Sequence, residues 1–310
     1  MLHDTPRTFR QVLDADFYSR NHAGLRAEME REGLSLLLLD SNDDVIYTTG
    51  FSHYTTERPV VFALTADHAF LLLPELERAH AAHQRIAAEA VVYFEFPGVE
   101  SPFAPLARAL GPIRGDIGVA PSMSLGRHAQ LQAIFPQARI RPTGLVAARR
   151  QIKTPEEIAL HREAARISDE MVRAGVALIA EAMRRGGELP SEIEIESHVS
   201  RHAMRIMYEE HADQMPVQGL ASGLVYSGAR SAFPHGMPTG FPVKRGESII
   251  LSLGCRVGGR AAESERTLFI GEPSAAQRAH YAIAHEAQRR ATAALRPGNT
   301  CAAADAAGLD

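Results

Sequence analysis

The sequence has 310 residues, 45% of them hydrophobic and 23% charged, enough for about two globular domains. A net charge of −4, with no Lys- or Arg-rich run, leaves no electrostatic footprint for nucleic acid or an anionic membrane, and the longest apolar stretch, around Leu36–Leu39, is far too short to span a bilayer. The two cysteines, Cys255 and Cys301, match no zinc spacing, and Met1-Leu2-His3-Asp4 opens without the features of an export signal, so a cytoplasmic protein is expected.

The first part of the chain alternates helical and strand patterns. Phe17 to Glu32 reads as an amphipathic helix with Tyr18, Leu25 and Met29 near one stripe, and Gly33 stops it. Leu34 to Leu39 is a short apolar run between Gly33 and the polar Asp40-Ser41-Asn42-Asp43, the pattern of a buried strand. Val60–Leu64 and Ala69–Leu73 form a predicted hairpin around Thr65-Ala66-Asp67-His68. Val91–Phe96 and Ile117–Val119 add strands, with helical stretches over 75–88 and 101–110. Interleaved strands and helices predict an α/β domain with a mixed sheet.

After the strand-like Ala138–Pro142 the composition changes, which places a domain boundary at about 145–153. We therefore expect an N-terminal domain over 1–148 and a second domain over 149–310. Thr154-Pro155-Glu156-Glu157 is a strong helix start, with Thr154 as N-cap, Pro155 at the first position and Glu157 closing a capping box. That helix should run to Arg184 or Arg185, where Gly186-Gly187 ends it, and a second should run from Pro190-Ser191-Glu192 towards Met207. Strands and turns follow from 226 to 271, with Ser248–Leu253 one strand, Gly258-Gly259 a two-residue hairpin turn and Arg260–Ile270 the return.

Strand alternation puts Glu263, Glu265, Thr267 and Phe269 on one face. With a tight turn at Gly258-Gly259, Val257 pairs with Arg260, Ser252 lies opposite Glu265, and Glu263 is diagonal to it. A hydroxyl and two carboxylates then share one surface.

Three features carry a family resemblance: the helix opener Arg150-Gln151-Ile152-Lys153-Thr154-Pro155-Glu156-Glu157-Ile158, the Pro234-His235 turn, and the hairpin ending in Glu265-Arg266-Thr267-Leu268-Phe269. In this order and spacing the chain resembles the creatinase / aminopeptidase P / prolidase family of pita-bread hydrolases, most of all the metal-free creatinase branch. The resemblance implies a creatinase-like α/β domain followed by the first half of a pita-bread α+β domain. The family's second half, with a later histidine and two glutamates, is not represented before Asp310, so an incomplete catalytic unit is expected.

In metal-using members the hairpin carries two aspartates of a dinuclear centre, which fall here on Ser252 and Glu263. A neutral hydroxyl is a poor ligand for a hard divalent ion, so no metal and no cofactor are expected. By the same carry-over, His235 matches the catalytic histidine of creatinase, and Glu265 the glutamate that holds its guanidinium substrate. Arg58 matches an arginine offered by a neighbouring subunit, which implies a homodimer. Ser252 and Glu263 would complete the substrate surface. Thr56 stands where creatinase has an aromatic contact, which points away from creatine itself.

The expected activity is metal-independent hydrolysis of a C–N bond in a small guanidino, amidine or amide compound, creatine- or ectoine-like. The alternatives are an Xaa-Pro aminopeptidase or dipeptidase and a non-catalytic pita-bread binding module, and metal dependence separates the two enzymes. A small-molecule substrate is expected, with neither nucleic acid nor membrane as a partner.

Overall fold

The computed structural model describes residues 13–211 and 221–309. Its contacts divide the chain into two compact units. One comprises the chain up to Glu170, the stretch from Arg201 to Ser222 and Gly254–Glu263; the other comprises Met171–Ser200, Gly223–Leu253 and the chain from Ser264.

The first unit is built on a six-stranded mixed sheet. Helix α1 (Ala15–Glu32) starts at Asp14, whose carboxylate accepts from Phe17 N at 2.8 Å, and ends at Gly33 with φ +69°. The order of elements that follows is β1 (Leu34–Leu39), α2 (Asn42–Thr49), β2 (Val61–Leu64), β3 (Ala69–Pro74), α3 (Arg78–Gln84), β4 (Glu89–Tyr93), α4 (Ala104–Leu110), β5 (Asp116–Val119), α5 (Leu125–Ile134), β6 (Arg139–Pro142) and α6 (Leu145–Gln151). The spatial order is β4-β3-β2-β1-β5-β6, with β1 antiparallel to β2 and parallel to β5.

Central β1 is covered on both faces, which is why its sequence is a continuous leucine run rather than an alternation. Leu37 and Leu39 join a core with Phe17, Leu25, Met29 and Tyr47, whereas Leu36 and Leu38 join another with Phe103, Leu106 and Leu131. Two departures from the sequence reading have local causes. Strand β4 stops at Tyr93 instead of Phe96 because its partner β3 ends at Pro74, where the chain turns into a 3₁₀ helix. The predicted 75–88 helix is a 3₁₀ turn at Glu75–Glu77 followed by the short α3.

Helices α7 (Pro155–Arg185) and α8 (Glu192–Glu210) come next. The predicted capping box opens α7: Thr154 N donates to Glu157 Oε2 at 3.0 Å and Glu157 N to Thr154 Oγ1 at 3.3 Å. Ser191 and Glu194 form the same reciprocal pair at the start of α8, at 2.8 and 3.3 Å.

The second unit holds a three-stranded sheet in the order β7 (Ala221–Ser227), β8 (Ser248–Val257), β9 (Arg260–Phe269), with the hairpin tip assigned to the first unit. Along β8, Ile249, Leu251, Leu253, Cys255 and Val257 are buried while the residues between them are partly exposed, the period of two that a half-covered sheet requires. Helices α9 (Ala275–Ala294) and α10 (Cys301–Leu309) pack on each other. Among the described residues no helix is long and apolar enough to cross a membrane.

Candidate active site

His235 sits on an exposed turn between β7 and β8, closed by Gly236 N donating to Phe233 O at 2.9 Å. Around it Phe233, Met237 and Phe241 present large apolar side chains to water, at 62%, 72% and 73% exposure. An imidazole set among exposed apolar groups is an unusual use of surface in a loop that must otherwise satisfy its polar backbone.

The root of this loop is gathered on one buried carboxylate. Glu192, the first residue of α8, is 1% exposed. Its Oε1 accepts from Ser227 N at 2.8 Å and Ser227 Oγ at 3.2 Å. Its Oε2 accepts from Thr239 N at 2.9 Å, Thr239 Oγ1 at 2.8 Å and Arg230 Nε at 3.2 Å. Burial pushes the Glu192 carboxyl upward, but the bonds from Thr239 and Ser227 and the charge of Arg230 outweigh it, so its pKa lies below the ordinary carboxylate value. Arg230 in turn donates from Nη2 to Met237 O at 2.6 Å, two residues beyond His235. Sequence reasoning registered Glu192 only as a helix start, because its partners lie 35–47 residues away.

The hairpin carries the other expected site residues. Gly258 and Gly259 take φ +55° and +76°, the left-handed pair that a two-residue turn needs. A Cβ on Gly254 would stand 2.9 Å from Glu263 Cγ, so Gly254 faces Glu263. That register pairs Val257 with Arg260 and sets Ser252 opposite Glu265. Glu263 and Glu265 are exposed on one face, and Ser252 is half-buried. The structure thus brings Ser252, Glu263 and Glu265 onto one hairpin and sets His235 on a separate loop. Arg58 lies in the first unit, where its guanidinium pairs with Glu95 and, at 3.1 Å, with Glu57.

These hairpin residues do not fit a dinuclear metal centre. They offer one neutral hydroxyl, a poor ligand for a hard divalent ion, beside the two carboxylates of Glu263 and Glu265. Among the described residues, one group of three His, Cys, Asp or Glu side chains brings its ligand atoms within 4.8 Å, namely Glu163, Glu210 and His211. That cluster already has a cation: Arg166 Nη2 is 2.6 Å from Glu163 and 2.5 Å from Glu210, and His211 Nε2 is 2.7 Å from Glu163. Arg166, followed by the contact with His211, holds the Glu163 carboxyl down at about 2 against the opposing effect of burial. Cys255 is no nucleophile: it is buried, burial pushes its thiol up to about 11, and its Sγ donates to Ala164 O at 3.3 Å.

Residues 22–152 match the Creatinase/Prolidase N-terminal domain and residues 159–310 match Metallopeptidase family M24. The Xaa-Pro dipeptidase of Pyrococcus furiosus is 32% identical over 151 residues, which is 49% of this chain and 39% of that protein. A probable dipeptidase, PepE, of Mycobacterium bovis is 28% identical over 301 residues, covering 96% of this chain and 76% of that one. The crystal structure of a recombinant prolidase from Thermococcus sibiricus superposes with a TM-score of 0.78 at 23% identity, over 96% of this chain and 76% of that one, which shows a shared fold. The fold is the mixed α/β, pita-bread-like arrangement of the prolidase structures. The relatives named here carry peptidase names, so they support the wider family and do not single out its metal-free branch.

Proposed function

We propose that this chain, whose residues 22–152 match the Creatinase/Prolidase N-terminal domain and 159–310 Metallopeptidase family M24, is a hydrolase of C–N bonds in small substrates, with Xaa-Pro dipeptides as the first substrate class to test. The observation that supports this reading is the exposed His235, held on a braced loop in the unit that also contains Glu265. His235 takes a proton from the attacking water and returns it to the leaving nitrogen. Glu265, with Glu263 beside it, pairs with a cationic substrate group such as an α-ammonium.

One observation favours a second reading. Ser252 is a hydroxyl on the strand position where the metal-using relatives resembled here place a carboxylate, which supports metal-independent cleavage of a guanidino, amidine or amide compound. Turnover of Xaa-Pro dipeptides and of creatine- and ectoine-like compounds, measured before and after chelation alongside elemental analysis, separates the two. Dipeptide cleavage lost together with a bound metal establishes the peptidase. Cleavage of the second set with no stoichiometric metal establishes the amidohydrolase. A folded protein that binds such compounds specifically yet turns over neither set favours a non-catalytic binding module.

A further inference from the structure

We propose that Glu192 is a positioning residue that fixes the loop from Ser227 to Thr239, and with it the imidazole of His235, by holding both ends of that loop on one buried carboxylate. The proposal rests on the reading of His235 as the proton-transfer group.

Three observations lead to it. First, Glu192 is not needed to cap α8. That task falls to Ser191 and Glu194, which satisfy each other's backbone N–H groups at 2.8 and 3.3 Å. A glutamate in the first helical turn is normally a solvated dipole partner, whereas this one is 1% exposed. Second, a buried carboxylate is costly unless its lone pairs are filled, and among the described residues all five donors come from the loop. Ser227 ends β7 before the loop and Thr239 lies four residues past His235, so the two oxygens tie the loop entrance to its exit. Third, Arg230 extends the brace inward, bonding Glu192 Oε2 with Nε and Met237 O with Nη2. His235 therefore lies on a span clamped before and after it, on an exposed turn.

The chemistry of the amide makes Glu192→Gln a sharp probe. Gln keeps the size of the side chain, but only one of its two heteroatoms accepts. Whichever way the amide is turned, the N–H of Ser227 or of Thr239 faces an NH₂ group, and one end of the loop is released.

The experiment compares the wild-type chain, Glu192→Gln, His235→Ala and the double variant. Hydrogen exchange followed by mass spectrometry should show residues 227–239 exchanging at least tenfold faster in Glu192→Gln, with the β1–β5 core unchanged. On an Xaa-Pro dipeptide, or on the guanidino or amide compound if that is what turns over, kcat should fall at least tenfold with KM within about threefold. The double variant should be no slower than His235→Ala, because a residue that acts through His235 has nothing left to position. Unchanged exchange in 227–239, faster exchange throughout the chain, or losses that multiply in the double variant would each overturn the proposal. Full turnover in His235→Ala would instead sink the assigned role of His235, and the exchange result alone then decides whether Glu192 holds the loop.

Discussion

Arg260, the first residue of β9, places Nη2 2.8 Å from Oε1 of Glu157 in the first turn of α7, with only 6% and 4% of the two side chains exposed. The guanidinium also lies 5.4 Å from the ring centroids of Phe17 and Tyr47 and donates to Gly258 O at 2.9 Å. One buried charge thus joins the hairpin turn, the α7 capping box and one aromatic ring each from α1 and α2. Removing one partner strands the other without water. Glu157→Gln is therefore expected to cost about 3–5 kcal/mol, and adding Arg260→Met should recover part of that. Urea unfolding of the two variants checks both, and a loss below about 1 kcal/mol for Glu157→Gln would show that the pair is not desolvated.

His235→Ala should lower turnover about 10²–10⁴-fold, the usual contribution of positioned proton transfer. Its unfolding midpoint should match the wild type, since the side chain is exposed. Steady-state kinetics and a thermal melt on the same sample test the pair of expectations. Turnover within a fewfold of wild type ends the role.

Arg58 tests whether two copies share a site. Mixing an Arg58→Ala chain with a His235→Ala chain should restore part of the activity if a partner's Arg58 reaches the site carrying an intact His235. Heterodimers that form yet remain inactive would leave Arg58 to its pairing with Glu57 and Glu95.

The cluster at Glu163 sets an acid limit. Its folded value of about 2 lies below the ordinary 4.5, so its contribution is fully present above about pH 4.5 and is lost as pH falls towards 2. Glu163→Gln should melt below the wild type at pH 6, and the gap between the two should narrow as the pH is lowered from 4.5. A gap that stays constant down to pH 2.5 would remove the ion pair as its cause.

The two thiols should behave differently. Cys255 is buried with its thiol pushed up to about 11, whereas Cys301 is exposed. A thiol reagent at pH 8 should label one cysteine in the native protein and two after denaturation, with peptide mapping placing the first label on Cys301. Native labelling of Cys255 would mean that β8 opens readily.

Much of this architecture was legible in the sequence because its signals are local. The leucine run of β1, the Thr154–Glu157 capping box and the Gly258-Gly259 turn each depend on residues within a few positions of one another, and each takes its expected form. Helices α2, α5 and α6 were not legible: they are 8, 10 and 7 residues long, too short for a 3.6-residue period to stand out. In α2 the run Val45-Ile46-Tyr47-Thr48-Thr49 is rich in β-branched residues that favour strands, and the Ser41 cap and Gly50 stop are its helix signals. The Glu163–Arg166–Glu210–His211 group and the Glu192 brace were invisible for a different reason. Both are made by side chains that meet only after 35 or more residues of chain have folded back.

The brace on Glu192 also limits what can be transplanted. A designer who moves Ser227–Thr239 onto another scaffold carries the histidine and the turn but leaves behind the oxygens that close its ends. The portable module is the loop together with the opening turn of α8, two segments that are distant in sequence and must be grafted at a fixed separation. A library that randomises the loop while keeping glutamate at 192 explores shapes around a pinned base, whereas one that varies 192 as well spends most of its members on loops that no longer close.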